Sequence, residues 1–527
     1  MMHGSGTVPG GAARNLRQLL SGIVEAPADV AVSDLTLDSR EVTPGALFLA
    51  CRGQARGNGR HGIEFAAQAS ERGARAVVYE TPHDGEPRAL EAAARLLQRI
   101  RQRAGQDEEQ IVVAVPNLRA HLGLIADRFF GQPSQAMHVV GVTGTNGKTT
   151  CAWLIAQALS LCGRPAAYIG TLGYGTTGAL QPVAHTTSDV VSVHRQLASL
   201  RASGAAAVAM EVSSHALDQG RVDAVRFAAA AFTNLTQDHL DYHGTMQAYG
   251  EAKARLFAWP TLTARVINID DGFGRELAAA PGAPGRLVVT ARGTDPHEQA
   301  HVLATQVNAH NEGLELRLAT SWGAAQLSVS LLGDFNVDNV LTTLAVLLAA
   351  QVPLPSAIAA LARCVAAPGR MQRVTAPAPG AQPTVIVDYA HTPDALDKAL
   401  AAARTHCRGR LHLVFGCGGD RDALKRPLMG RIAASRADVI TVTDDNPRTE
   451  DPAAIVRDIL AGIIGSTETV HVEHDRATAI REAIRGAAPG DLVLIAGKGH
   501  ENYQIYGTDR RVFSDEQVAR SVLAAGS

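Results

Sequence analysis

Short apolar runs, each closed by glycine or a polar cluster, alternate with longer stretches of helical periodicity along most of the chain, which is the pattern of an α/β protein. Up to about residue 117 this pattern predicts a small α/β unit with strands over 35–40, 46–50 and 74–78, a helix over 88–104 and a last apolar strand. Its loop over 53–62, rich in Gly, Arg and Asn, is able to hold polar ligand groups, whereas the charged run 105–110 reads as surface. Next, the apolar run 137–140 leads into a glycine-rich loop, after which Cys151, Leu154, Ile155, Ala158 and Leu159 recur at helical spacing. Further apolar runs cover 205–212 and 227–232. Residues 314–318 and 327–331 alternate with period two around Ser321-Trp322-Gly323, predicting an antiparallel hairpin. Helices follow from Phe335 to about Gln351 and over 356–365, and Pro368-Gly369-Arg370 marks a break. Beyond it, strands at 384–387, 411–415, 439–442 and 492–496 alternate with helices as in a parallel sheet.

The expected fold is therefore α/β in three domains: a small N-terminal domain (1–117), a central parallel sheet with a P-loop and an appended antiparallel hairpin (118–366), and a C-terminal doubly wound sheet of the Rossmann type (367–527). A length of 527 residues agrees with roughly three cores. With 46% hydrophobic residues, 19% charged residues and a formal net charge of -2, the bulk composition favours neither nucleic acid nor a membrane surface. No run is long enough to span a bilayer, and the Gly-rich residues 1–13 read as a disordered start without an apolar targeting core. Six cysteines without C-x-x-C spacing argue against a zinc site and a disulfide framework. The expectation is a cytoplasmic monomer acting on small molecules, with no nucleic-acid partner and no membrane insertion.

The chemistry centres on Gly141-Val142-Thr143-Gly144-Thr145-Asn146-Gly147-Lys148-Thr149-Thr150. Placed between a strand and a helix, it reads as a phosphate loop: glycines let backbone N–H groups turn towards phosphate oxygens, and the helix N-terminus adds positive charge. Lys148 reaches the terminal phosphates and Thr149 offers a hydroxyl to Mg²⁺. The strict pattern places glycine where Val142 stands, so the loop is a variant; a glycine-rich turn with an incidental Lys-Thr is the competing reading. Two further strand ends carry Glu211-Val212-Ser213-Ser214-His215 and Asp238-His239-Leu240-Asp241. Mg²⁺ prefers oxygen, which makes Glu211 the stronger candidate ligand and His239 the less usual one; alone, each is equally a satisfied polar group.

In the last domain every strand end is polar: Asp388-Tyr389-Ala390-His391, Gly416-Cys417-Gly418-Gly419-Asp420-Arg421, Asp444-Asp445-Asn446-Pro447-Arg448 and Gly497-Lys498-Gly499-His500-Glu501. Capping and turn chemistry account for the glycines and some aspartates, but not for Arg421, Arg448 and Glu501 at one sheet edge, where ligands bind in such folds. Two substrates plus ATP suggest a ligase that activates a carboxylate as an acyl phosphate for attack by an amine.

These motifs, with Asp388-Tyr389-Ala390-His391-Thr392-Pro393, resemble the Mur ligase family from about Leu35 to the C-terminus. The resemblance implies an ATP- and Mg²⁺-dependent ligase of peptidoglycan synthesis that adds meso-2,6-diaminopimelate to UDP-N-acetylmuramoyl-L-alanyl-D-glutamate. It implies ATP contacts from Gly144, Thr145, Asn146, Gly147, Lys148, Thr149, Thr150, Asn336, Arg370, Asp388 and His391. The muramoyl substrate is assigned to Leu37, Ser39, Thr186, Thr187, Ser213, Gln219 and Arg221, with the Gln54-Ala55-Arg56 loop adding contacts. Diaminopimelate is assigned to Arg421, Asp445, Asn446, Pro447, Arg448, Gly497 and Glu501, where a guanidinium suits the distal carboxylate and Glu501 the distal ammonium. Lys148, Glu211, His239 and Lys253 take the catalytic roles, with Thr149, Glu211, His239 and Lys253 at the metal. Read alone, Lys253 is a solvated helix lysine; the resemblance makes it a carbamate, N6-carboxylysine. It also implies closure of the C-terminal domain onto the phosphate loop. The rivals are a ligase adding L-lysine or another amino acid, an ATPase switch that forms no amide, and a non-catalytic sugar-nucleotide binder; a phosphate loop by itself also fits folylpolyglutamate synthetase.

Overall fold

The computed structural model describes residues 13–26, 29–53, 60–83, 85–103, 110–375, 382–463 and 469–525. The chain forms two compact units, one comprising Met1–Thr143, Arg164–Ala230 and His239–Thr263, the other Gly144–Gly163, Ala231–Asp238 and Ala264–Ser527.

In the first unit, Leu35–Thr36, Leu47–Ala50, Ala76–Glu80 and Ile111–Val115 form a four-stranded parallel sheet in that order. The helix expected over 88–104 runs Pro87–Arg103. Residues ahead of Asp34, for which the sequence offers no assignment, contribute Leu16, Leu19, Leu20 and Val32 to the same core as Leu47, Leu49 and Val78. A second set of strands places Ala207–Glu211 between Ala166–Gly170 and His138–Thr143, all parallel, so that Glu211 ends a strand buried on both faces.

The same unit carries a pH-sensitive core position. His194, 0% exposed in the helix Val190–Ala202, has Nε2 2.9 Å from the Asp223 carbonyl oxygen and Nδ1 3.6 Å from the Asp127 carboxyl. Burial pulls its pKa from 6.5 to about 4. The unfolded chain therefore takes up this proton first as pH falls, and stability is lost between about pH 6.5 and about pH 4, by up to roughly 3 kcal/mol for this group. Thermal denaturation across that window should show the slope, and His194→Gln should remove its share.

In the second unit, Ala264–Asn268, Arg286–Ala291 and the start of Ala300–His310 run parallel, after which Ala300–His310, Gly313–Thr320 and Gly323–Val329 form an antiparallel meander. The expected hairpin is thus the end of a three-stranded ribbon. Its first strand escaped the periodicity because His301, Thr305, Gln306, Asn308 and His310 interrupt the apolar pattern. The helix expected over 356–365 starts earlier, as Leu354–Leu361, because proline is tolerated in a first helical turn.

The last sheet has the order Gln372–Val374, Thr384–Asp388, Leu492–Ala496, Leu411–Phe415, Val439–Val442, Thr469–Val472, parallel except at the first edge. Alternate residues feed two cores: Ile386, Leu492 and Leu494 pack with Leu396, Leu400, Met429 and Ile459, and Val385, Val387, Val493 and Ile495 pack with Ile480, Ile484 and Val522. Helices on both faces make this the doubly wound sheet that the sequence predicts. Among the described residues no helix is long and apolar enough to cross a membrane.

Candidate active site

The phosphate loop keeps its geometry without a glycine at position 142. Val142 is fully buried inside the strand His138–Thr143, opposite Glu211 on the neighbouring strand, so the turn begins two residues later. Gly144 takes φ +148°, and a Cβ there would lie 1.9 Å from Thr233 Oγ1. Gly147, at φ +84°, precedes the helix Lys148–Leu161, and a Cβ there would lie 2.4 Å from Asn339 Oδ1. Both positions therefore require glycine. The segment after Phe232 braces the loop: Thr145 N–H donates to the Asn234 carbonyl at 2.8 Å, Asn146 N–H to Asn234 Oδ1 at 2.9 Å, and Thr233 Oγ1 to the Asn146 carbonyl at 2.6 Å. Lys148 Nζ donates to the carbonyls of Gly144 and Thr145 at 2.9 and 2.8 Å. Thr149 and Thr150 are buried at the helix start.

In the same unit, Asn336 is buried and accepts from Asn339 Nδ2 at 2.8 Å while donating to the Leu332 carbonyl at 2.7 Å. Asp388 accepts from the N–H groups of Met371 and Ala390 at 2.7 and 2.8 Å, yet burial outweighs these bonds and pushes its carboxyl pKa up. The Arg370 guanidinium lies 4.7 Å from the centre of the Tyr389 ring, and His391 follows on the same strand end.

In the first unit, five of the residues expected at the muramoyl substrate, Thr186, Thr187, Ser213, Gln219 and Arg221, are linked through hydrogen bonds, Ser213 by its N–H to Thr187 Oγ1 at 3.3 Å. Thr171 Oγ1 and Thr186 Oγ1 lie within hydrogen-bond distance at 3.1 Å, and Thr187 Oγ1 donates to the Glu211 carbonyl at 2.9 Å. Arg221 donates through Nη1 to the Thr187 carbonyl at 3.0 Å and through Nε to Gln219 Oε1 at 2.9 Å. Gln219 Nε2 in turn reaches the Tyr242 hydroxyl at 3.1 Å, and Ser213 Oγ accepts from Ala216 N–H at 3.1 Å as a helix cap. Leu37 and Ser39 lie in the four-stranded sheet region of this unit, with Ser39 buried and its Oγ donating to Gln68 Oε1 at 2.7 Å. Gln54, Ala55 and Arg56 lie outside the described residues.

Glu211, 1% exposed, accepts from the Tyr168 hydroxyl, from Thr171 N–H at 2.9 Å and from Thr171 Oγ1 at 3.3 Å. Tyr168 and Thr171 were not legible beforehand, because the Ala-rich run before them has no periodicity that separates strand from helix. His239 is exposed at φ +51°, its ring 4.8 Å from that of His215, which in turn lies 4.2 Å from Tyr242. Burial foremost, with the neighbouring histidines, lowers the His215 pKa to about 4. Lys253 is not the solvated lysine of the composition-only reading: it is 1% exposed, with Nζ 4.3 Å from the centre of the Tyr249 ring. Among the described residues no three His, Cys, Asp or Glu side chains converge as a metal cage. Mg²⁺ carried on phosphate takes only one or two carboxylates with waters, so a single buried carboxylate such as Glu211 fits it without a cage.

The four strand ends of the last sheet do converge. A Cβ on Gly497, at φ +117°, would lie 2.8 Å from Asp445 Oδ2. Asn446 Nδ2 donates to Glu501 Oε2 at 3.0 Å. Arg448 Nη1 donates to the Gly419 carbonyl at 2.7 Å, and a Cβ on Gly418 would lie 2.9 Å from that nitrogen and 3.7 Å from Arg421 Cγ. Pro447 is buried beside Gly419. Arg448 itself sits at φ +53°, held by Arg448 N–H to the Ile505 carbonyl at 3.0 Å and by Gly507 N–H to the Arg448 carbonyl at 2.6 Å. The hairpin Tyr503–Tyr506 with Asp509–Val512 that pins it was missed, because the second strand is exposed throughout and lacks an apolar face.

A phosphate loop in an α/β unit and a second charged site at the strand ends of a doubly wound sheet define a nucleotide-dependent, two-substrate enzyme architecture. Three family profiles match the chain: "Mur ligase family, catalytic domain" over residues 31–130, "Mur ligase middle domain" over 142–347 and "Mur ligase, glutamate ligase domain" over 369–499. The chain belongs to the Mur ligase family. It is 48% identical over 510 residues to the UDP-N-acetylmuramoyl-L-alanyl-D-glutamate--2,6-diaminopimelate ligase of Ectopseudomonas mendocina, covering 97% of this chain and 98% of that one. The protein of the same description from Chromobacterium violaceum is 49% identical over 491 residues, 93% of each chain. A solved structure with that description superposes with a TM-score of 0.69 at 33% identity, covering 98% of this chain and 99% of the other.

Proposed function

We propose that this chain is an ATP-dependent amide ligase that joins meso-2,6-diaminopimelate to the D-glutamate carboxylate of UDP-N-acetylmuramoyl-L-alanyl-D-glutamate in peptidoglycan synthesis. The observation that carries the reading is the cluster of Arg421, Asp445, Asn446, Arg448, Gly497 and Glu501 at one sheet edge. It pairs cationic and anionic groups, which suits an amino acid bearing a second ammonium and carboxylate, and a site built for charge rejects a ligand that leaves it unpaired. Residues 1–117 would bind the UDP substrate, 118–366 the nucleotide and 367–527 the amino acid.

The loop Gly144–Thr150 cradles the ATP phosphates with backbone N–H groups, Lys148 meets the terminal phosphates, and Asn336, Arg370, Asp388 and His391 complete the nucleotide site. Thr149, Glu211, His239 and a carbamylated Lys253 would hold Mg²⁺, which offsets phosphate charge when bound. The muramoyl dipeptide takes the chain of Thr186, Thr187, Ser213, Gln219 and Arg221, with Leu37, Ser39 and the loop of Gln54, Ala55 and Arg56. The D-glutamate carboxylate oxygen attacks the γ-phosphorus and ADP leaves; the diaminopimelate amine then attacks the acyl carbon, phosphate leaves with the C–O electron pair, and the amine gives up a proton.

The test is Mg-ATP-dependent phosphate release, with the product identified by mass, using the UDP-muramoyl dipeptide and either meso-diaminopimelate or L-lysine. Amide product with diaminopimelate alone is expected. Product with lysine would keep the ligase and discard the pocket assignment; phosphate release without amide would leave an ATPase switch.

A further inference from the structure

Lys498 is a lysine that the reading above does not use, and it is 0% exposed. A buried ammonium is costly, and an apolar side chain of similar volume is often the cheaper way to fill such a place. Here the charge is spent on a closed triangle. Lys498 Nζ lies 3.0 Å from Glu501 Oε2 and 3.2 Å from Asn446 Oδ1, and Asn446 Nδ2 donates to the same Glu501 Oε2 at 3.0 Å. Two edges join the loop of Asn446 to the loop of Lys498 and Glu501, and the third lies within the latter. The third corner reaches further: Asn446 Oδ1 also accepts from Ile505 N–H at 3.0 Å, and the Ile505 carbonyl accepts from Arg448 N–H at 3.0 Å. Glu501 Oε2 is thus held twice, and among the described residues Oε1 accepts no hydrogen bond.

We propose that Lys498 is a positioning, specificity-determining residue, which fixes the Glu501 carboxylate and, through Asn446, the loop bearing Arg448, so that both meet an amino acid with a second charged centre. The inference rests on the diaminopimelate reading. With Lys498 in place, Glu501 keeps Oε1 for a ligand ammonium while Oε2 is neutralised from inside the protein. Without it, Glu501 is held by Asn446 alone and Asn446 loses a donor, so the two reading groups lose their set spacing. Nucleotide and muramoyl binding involve other residues and should be unaffected.

The experiment compares the full-length wild type with Lys498→Met, Lys498→Arg, Glu501→Gln and the double variant Lys498→Met/Glu501→Gln. KM and kcat are measured for meso-diaminopimelate and ATP, L-lysine is offered as competitor, and thermal denaturation checks folding. Lys498→Met should raise the diaminopimelate KM about 10- to 100-fold, the loss expected for charge-assisted hydrogen bonds, leave the ATP KM within about twofold, and narrow the preference over lysine. The double variant should lose clearly less than the two single losses combined, because Lys498 acts in part through Glu501. Additive effects, or a fall in kcat with the diaminopimelate KM unchanged, would overturn the proposal. Should Lys498→Met fail to fold, Lys498→Arg keeps the charge but not the compact ammonium; an unchanged diaminopimelate KM in Lys498→Arg overturns it equally. A wild type that makes no diaminopimelate product would instead remove the functional reading itself.

Discussion

Replacing Lys148 by alanine is expected to lower turnover by about 10²–10³-fold or more, the scale seen when one preorganised electrostatic group is removed from a transition state, with little change in folding. Lys148 Nζ donates to carbonyls of its own loop, at Gly144 and Thr145. The loop does not depend on them for shape, since Thr145 and Asn146 are held by Asn234 and Asn146 by Thr233. Alanine therefore removes the cation and keeps the cradle. Single-turnover phosphoryl transfer should fall with overall turnover, because the missing charge acts where the γ-phosphoryl moves. Gly144→Ala supplies the contrast: its Cβ, 1.9 Å from Thr233 Oγ1, must deform the cradle itself, so nucleotide binding should weaken together with turnover. Turnover within about tenfold of wild type for Lys148→Ala would sink the assignment of this loop to the reacting phosphates.

The phosphate loop was legible because its chemistry is contiguous: glycines, lysine and threonine follow one another between an apolar strand and a helix. Its one departure, Val142, resolves into register, since that residue is still inside the strand and Gly144 makes the turn. The charged cluster at the edge of the last sheet was legible for a related reason. Strands Thr384–Asp388, Leu411–Phe415, Val439–Val442 and Leu492–Ala496 are apolar until their last residues, and a parallel sheet delivers all such ends to one edge. What could not be read depends on contacts distant in sequence. Whether Lys253 is solvated or buried is decided by what packs on the helix Met246–Ala254, and nothing in Glu251-Ala252-Lys253 states it. The strand Thr469–Val472 lies at a sheet edge with mostly exposed residues, so selection for an apolar face is weak there. Lys498 sits between two glycines that look like turn chemistry alone, and only its fold partners reveal a buried charge.

Arg448→Ala should cost about 2–5 kcal/mol of transition-state binding, as truncating one partner of a hydrogen-bonded charge pair does, which corresponds to a fall of about 30- to 5,000-fold in kcat/KM for meso-diaminopimelate. The main chain at this position gives the experiment its clarity. Arg448 N–H is bound to Ile505 and its carbonyl to Gly507, neither through the side chain, so the loop keeps two ties when the guanidinium is removed. Alanine faces the same φ of +53° as arginine does, and adds no new backbone strain. Two protein bonds are lost, from Nη1 to the Gly419 carbonyl at 2.7 Å and to the Asn446 carbonyl at 3.5 Å. Arg448→Lys should recover little, because an ammonium presents a point charge where a planar fork can grip a carboxylate in two places. Neither variant should change the KM for ATP, and Arg448→Ala should narrow the preference over L-lysine, which brings a distal ammonium for Glu501 but no distal carboxylate. Steady-state kinetics with both amino acids decides the matter: if Arg448→Ala keeps kcat/KM for diaminopimelate within about threefold, the distal carboxylate is recognised elsewhere, and Arg421, exposed on the adjoining loop, becomes the residue to replace next.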